Sequence, residues 1–163
     1  IYPIARTVDK SVNNPIGQQL FEQFNYWITE KNLNGHYLYT DFNGWIDKKI
    51  IDVFKQKQII LLLIDLPKRL FPKNRHPVKF LHEKNSSLPS RLVELAYKRK
   101  AHFLTAWHQF SNDFQEKSLI IEKAIEYETI DDILQTYANR LNNKIIESPW
   151  QWLGLPIVQQ YLE

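Results

Sequence analysis

Six consecutive aliphatic residues, Ile59 to Ile64, end at a carboxylate, Asp65, and the character of the chain then changes abruptly. Between Asp65 and Val78 lie Pro67, Pro72 and Pro77 together with Lys68, Arg69, Lys73 and Arg75, before a short apolar run from Val78 to Phe80. An unbroken aliphatic run of this length predicts a strand covered on both faces, at the centre of a parallel sheet. In open α/β sheets ligands gather beyond the C-terminal ends of the strands, which is where Asp65 falls. The cationic loop after it is suited to anions. This stretch predicts a ligand-binding edge and does not specify a reaction.

At 163 residues, with 44% hydrophobic and 24% charged residues, the chain has the composition of one globular domain, residues 1–163. It has no cysteine, which excludes a disulfide framework and a thiolate metal site. No apolar run approaches the roughly 20 residues of a membrane span, and nothing at the start reads as a signal peptide. The chain opens Ile-Tyr-Pro and contains no methionine, and is expected to be the C-terminal portion of a longer or processed protein. The net charge of +3 conceals an asymmetry: residues 66–100 carry ten Lys/Arg against two Asp/Glu, and residues 101–163 carry four against nine. The middle third could attract phosphate, an anionic membrane surface or nucleic acid, or form a solvated basic face.

Ile1 to Arg6 reads as a short strand, and Pro15 as the first residue of a helix after Asn14. Ile16, Leu20, Phe24, Trp27 and Ile28 give that helix an apolar face expected to point inward. His36 to Tyr39 is extended. A second helix follows Asn43-Gly44, with Ile46, Ile50, Val53 and Phe54 inward. Val78 to Leu81 is an edge strand. Ser87 to Ser90 opens a helix with Leu92, Leu95 and Ala96 inward, ending in Lys98-Arg99-Lys100, where basic residues suit the helix dipole. His102 to Phe110 and Lys117 to Tyr127 pair as a hairpin. The longest helix starts at Thr129-Ile130-Asp131-Asp132, with the stripe Ile130, Ile133, Leu134, Tyr137, Leu141 and Ile145. Alternating helices and strands predict an α/β domain whose central sheet is mixed but largely parallel and flanked by helices.

His36 and Asp41 form a His-x4-Asp pair, a spacing at which an imidazole held by a carboxylate can act as general base; an ordinary surface histidine fits the residues as well. Asp65 can orient a donor or acceptor, pair with a basic loop residue, or bond loop amides to end its strand. Arg6, at the end of a short strand, could clamp a phosphate or make a surface ion pair. His102 and His108 share a strand face but lie too far apart to hold a metal unaided. No HExxH, Walker or GxSxG pattern occurs, and four glycines exclude a dinucleotide fingerprint. Trp27, Trp45 and Trp107 fall on apolar faces and are expected in the core. Trp150 and Trp152, beside Pro149, fit either a membrane interface or packing across a sheet edge.

In order, these pieces resemble the C-terminal two thirds of the bacterial lipid A biosynthesis (late) acyltransferases, within the lysophospholipid acyltransferase-like superfamily. The similar features begin with the strand ending in Ala5-Arg6 and the Asn14-Pro15 element. The helix Ile50-Ile51-Asp52-Val53-Phe54-Lys55-Gln56 then leads to the strand ending in Ile64-Asp65. The basic loop runs to Val78-Lys79-Phe80, Leu88-Pro89 opens a helix containing Leu95-Ala96, and a long helix runs into Ser148-Pro149-Trp150-Gln151-Trp152. The resemblance spans residues 1–153. In that family the His-x4-acid motif precedes the arginine-bearing strand, so its counterpart would lie before Ile1, and His36-Asp41 falls in a different place. The chain also has Leu81-His82 where the family has glycine after the Phe, and lacks the family's closing His-Arg-Arg cluster.

The resemblance implies acyl transfer from an acyl carrier protein or coenzyme A thioester to a hydroxyl or amine of a lipid or glycolipid acceptor. It implies no cofactor and no metal. Arg6, Asp65, Lys68 and Arg69 would be substrate-positioning residues, and the protein would work in the cytoplasm at the inner face of a bacterial inner membrane, with peripheral membrane contact. The competing expectations are a non-catalytic lipid- or partner-binding domain of the same fold, and a nucleic-acid binder using residues 66–100. The second lacks a recognised module and holds its aromatics mostly outside the basic segment.

Overall fold

A computed structural model of the chain describes residues 1–5, 15–36, 38–39, 46–65, 68, 73–81, 83–111 and 113–152. These form a mixed α/β protein that divides into two compact units, Ile1–Leu63 and Ile64–Glu163. Arg6, Asp41 and Arg69, and with them Asn14, Trp45 and His82, lie outside the described residues.

The first unit contains β1 (Tyr2–Ala5), α1 (Pro15–Tyr26, extended by a π-helical turn Trp27–Asn32), β2 (Leu38–Tyr39), α2 (Ile46–Lys55) and β3 (Ile60–Leu61). Its sheet is parallel, in the order β2-β1-β3, with Ile4 opposite Leu38 and Tyr2 opposite Ile60. Ile50 and Val53 of α2 and Leu38 of β2 form its core. Gly35 is required where the chain leaves the π-helical turn: a Cβ there would lie 1.8 Å from the carbonyl oxygen of Ile1.

Two expectations fail in this unit. The run Ile59 to Ile64 does not make a central strand. Only Ile60–Leu61 is paired, on β1 alone among the described residues, and exposure alternates, with Ile59, Leu61 and Leu63 open. Six aliphatic residues fit a strand with one neighbour as well as one with two, because hydrophobicity does not count hydrogen-bonding partners. The helix at Pro15 is present, but Ile16, Leu20, Phe24 and Trp27 stand exposed, so its apolar stripe is not core.

The second unit holds two antiparallel hairpins and two helices. β4 (Arg75–Phe80) pairs with β5 (Glu83–Pro89), and β6 (Ala106–Phe110) with β7 (Lys117–Ile121). α3 spans Arg91–Lys98 and α4 spans Ile130–Glu147, followed by a 3-10 turn at Pro149–Gln151. The expected largely parallel central sheet is therefore not what the described strands display: parallel pairing is confined to three short strands, and the rest is antiparallel. The helix expected from Ser87 begins only at Arg91. Residues 83–89 are a strand because β4 supplies its partner, Arg75 opposite Pro89 and His76 opposite Leu88. Pro77 within β4 costs one donor, which an edge strand tolerates.

α4 behaves as its pattern predicts. The Thr129 hydroxyl accepts the Asp132 amide at 3.2 Å and the Asp132 carboxylate accepts the Thr129 amide at 2.7 Å, a reciprocal capping box. The Glu128 and Thr129 amides hold the Asp132 carboxyl below its ordinary value. Ile133, Leu134, Ala138, Leu141 and Ile145 are buried, against a core that includes Val78, Phe80, Leu88 and Val93.

Two glutamines fasten the hairpins to this helix and its terminal turn. The Gln135 carboxamide accepts the Lys79 amide (2.9 Å) and donates to the Lys79 carbonyl (3.0 Å), as a neighbouring strand would. Gln151 does the same at Phe110, at 2.8 and 3.1 Å. Gln151→Ala is expected to destabilise the chain by about 1–2 kcal/mol, measured by urea unfolding. Gln151→Glu should cost more, because its second oxygen would face the Phe110 carbonyl. An unaltered midpoint for Gln151→Glu would show that the clasp contributes nothing.

Candidate functional site

Asp65 lies four residues beyond β3, at the start of the second unit. Its carboxylate accepts the indole N–H of Trp152 at 3.3 Å, across 87 residues of sequence. Trp152 itself is buried, 7% exposed, and meets the Phe80 ring edge to face at 5.8 Å between centroids. A hydrogen bond from Tyr137 on α4 also reaches the carboxyl, and the Tyr137 ring stacks on Trp107 of β6 at 5.8 Å. The result is a carboxyl walled by aromatic rings and gripped by two aromatic donors.

Each side chain arrives for a local reason. Phe80 is an inward residue of β4. Tyr137 lies on the core stripe of α4, one turn from Ile133 and Leu141. Pro149 opens the 3-10 turn after α4 and sends Trp150 outward, 44% exposed, and Trp152 inward. Burial pushes the Asp65 carboxyl up; the bonds from Trp152, its own backbone and Tyr137 pull it back only in part, so it stays above the ordinary carboxylate value. Such a group keeps its proton to higher pH than an ordinary carboxyl does, and can orient a polar substrate group.

Of the other candidates the structure describes His36, in the first unit, and Lys68, in the second. His36 is largely exposed and its Nδ1 pairs with Glu30 of the π-helical turn, with the ring of Tyr2 edge-on at 6.1 Å. Its expected partner, Asp41, lies outside the described residues, as do Arg6 and Arg69. Lys68 occupies an exposed turn position.

A second polar cluster was not foreseen. The buried Thr105 hydroxyl donates to Glu122 at 2.6 Å, and Arg140 of α4 reaches the Thr105 hydroxyl and the Lys123 carbonyl, each at 2.9 Å. Burial would raise the Glu122 carboxyl, but the Thr105 hydroxyl and the charges of Arg140 and Lys144 outweigh it and leave it below its ordinary value. This cluster satisfies its own members and ties the β6–β7 hairpin to α4. No His/Cys/Asp/Glu group among the described residues is arranged to hold a metal. Nor is any described helix long and apolar enough to cross a membrane.

No family model and no curated protein matches the chain. What it can do has to be read from the Asp65 cluster. The sequence signals for Trp152 are its place after Pro149 at the end of the long helix and in the last motif of the resemblance; Tyr137 is marked only as a residue of the inward stripe of α4.

Proposed function

We propose that the chain is the substrate-side portion of an acyltransferase of the lipid A late-acyltransferase type. It would move a fatty acyl group from an acyl carrier protein or coenzyme A thioester to a hydroxyl or amine of a lipid or glycolipid. The histidine base would come from chain preceding Ile1, and the three parallel strands would belong to a larger, mainly parallel central sheet. One observation carries this reading. Asp65, Phe80 and Trp152 come from three separate motifs of the resemblance, and Trp152 joins the other two, donating to the Asp65 carboxyl and packing on the Phe80 ring. Motifs 15 and 72 residues apart in sequence have no reason to converge unless the site or the core needs them together.

In this mechanism Asp65 does not attack the thioester. It orients the acceptor or a neighbouring group while the histidine removes the hydroxyl proton, and Arg6, Lys68 and Arg69 meet anionic parts of donor or acceptor. The test is to incubate the protein from the intact gene with acyl carrier protein and coenzyme A thioesters and a lipid acceptor. Thioester should be consumed and the acyl group found on the acceptor. If no thioester is consumed while lipid is still bound, the non-catalytic lipid-binding alternative takes its place.

A further inference from the structure

The β6–β7 hairpin presents an outer face that is aliphatic at its centre and free of acids. Its register sets Ala106 opposite Ile121, His108 opposite Leu119 and Phe110 opposite Lys117, so these six share one face. The opposite face carries Trp107, stacked on Tyr137 of α4, and is therefore the inner one. Exposure follows the alternation: Leu119 is 66% and Ile121 64% exposed, and Leu104, two residues before Ala106, 62%. At the turn end, exposed Phe114 lies 5.0 Å from the exposed ring of Trp150 and 6.0 Å from Phe110, extending the patch. Contiguous apolar surface of this kind marks an interaction site.

The chemistry of the face selects what covers it. Exposed Lys117, at the start of β7, and Lys123, two residues past its end, flank Leu119 and Ile121, and none of residues 102, 104, 106, 108, 110, 117, 119, 121 and 123 is an acid. A second copy apposed face to face would set lysine against lysine. Lys123 pairs with Glu126 at 2.7 Å, but both are more than 80% exposed, and such a pair leaves the lysine available. A single-stranded nucleic acid would need rings under its bases, whereas the centre here is Leu and Ile. Exposed Trp and Phe at one end are the rings that settle at headgroup depth in a bilayer. We infer that this face docks on a lipid bilayer bearing anionic headgroups, with Leu104, Leu119 and Ile121 against the acyl boundary and Lys117 among the headgroups. The inference gains meaning from a lipid acceptor, but its test does not depend on turnover.

The full chain is floated with phosphatidylcholine vesicles and with vesicles that also contain phosphatidylglycerol. Leu119→Ser with Ile121→Ser should lower partition at least about ten-fold on both. Lys117→Gln with Lys123→Gln should lower it about five- to thirty-fold on the anionic vesicles alone. Circular dichroism verifies the fold, and the exposed lysine pair keeps the test decisive if the serine variant fails to fold. Absence of flotation, or anionic flotation that the lysine variant leaves intact, overturns the inference. So does binding to single-stranded RNA in place of vesicles, or self-association abolished by the serine variant in place of flotation. Flotation without thioester consumption removes the catalytic reading and leaves the surface; consumption without flotation does the reverse.

Discussion

Trp152→Ala is expected to lower the stability of the second unit by about 3–5 kcal/mol, the range for truncating a buried tryptophan. The indole is 7% exposed, fills the space beside Phe80 and donates to Asp65. Alanine would leave a cavity and take a donor from a largely buried carboxyl. Trp152→Phe keeps most of the ring volume and the contact with Phe80, and should cost only about 1–2 kcal/mol, chiefly the lost N–H bond. Chemical denaturation followed by far-UV circular dichroism, with amide hydrogen exchange to localise the loss to residues 64–163, separates the two. Equal costs for both variants would mean that the hydrogen bond, not packing, holds the turn. An alanine variant within about 1 kcal/mol of wild type would contradict the burial itself.

Asp65→Asn is expected to divide stability from activity. The native carboxyl titrates above its ordinary value of 3.8, so over the interval between that value and its raised one the folded state holds a proton that the unfolded state has released. Folding stability contributed by Asp65 is therefore greatest below that interval and falls as pH rises through it. Asparagine stays neutral and can still accept the Trp152 N–H, so the variant should be more stable than wild type at neutral pH, with the advantage vanishing in acid. Glu122, Asp113, Glu126 and Asp132 are all held below their ordinary values and act in the opposite sense, gaining stability as pH rises. Only the wild-type minus variant curve isolates Asp65. Under the proposed acyl transfer, the same substitution in the intact protein should lower kcat/KM about 100-fold, the scale of loss when a positioning group is misplaced. A variant that is less stable at neutral pH and fully active would make Asp65 a structural carboxyl and nothing more.

How far such a site can be read from residues alone depends on how local its causes are. The α4 stripe and its acidic cap were legible because a helix repeats its pattern every turn and carries its own start signal. The β6–β7 hairpin was legible from two apolar runs about a polar turn. The strand at 83–89 was not, because Asn85-Ser86-Ser87 has no strand character of its own and owes its conformation to pairing with β4. The inward face assigned to α1 was a correct periodicity with an undetermined partner: amphipathic spacing says where the stripe lies, not what covers it. Asp65 could be picked out as the carboxylate ending an aliphatic run, but its neighbours Trp152 and Tyr137 lie 87 and 72 residues away, and only the folded chain brings them to it.

The carboxamide clasps of Gln135 and Gln151 also bear on how quickly the fold is lost. They bridge 56 and 41 residues and can form only after each hairpin has met α4 and its terminal turn. Contacts that close so late are absent from the folding barrier and must be broken on the way out. The cost of Gln151→Ala should therefore fall on the unfolding rate, which rises, while refolding keeps its pace. In the cell this would shorten the lifetime of the native chain before proteolysis without slowing its first arrival there.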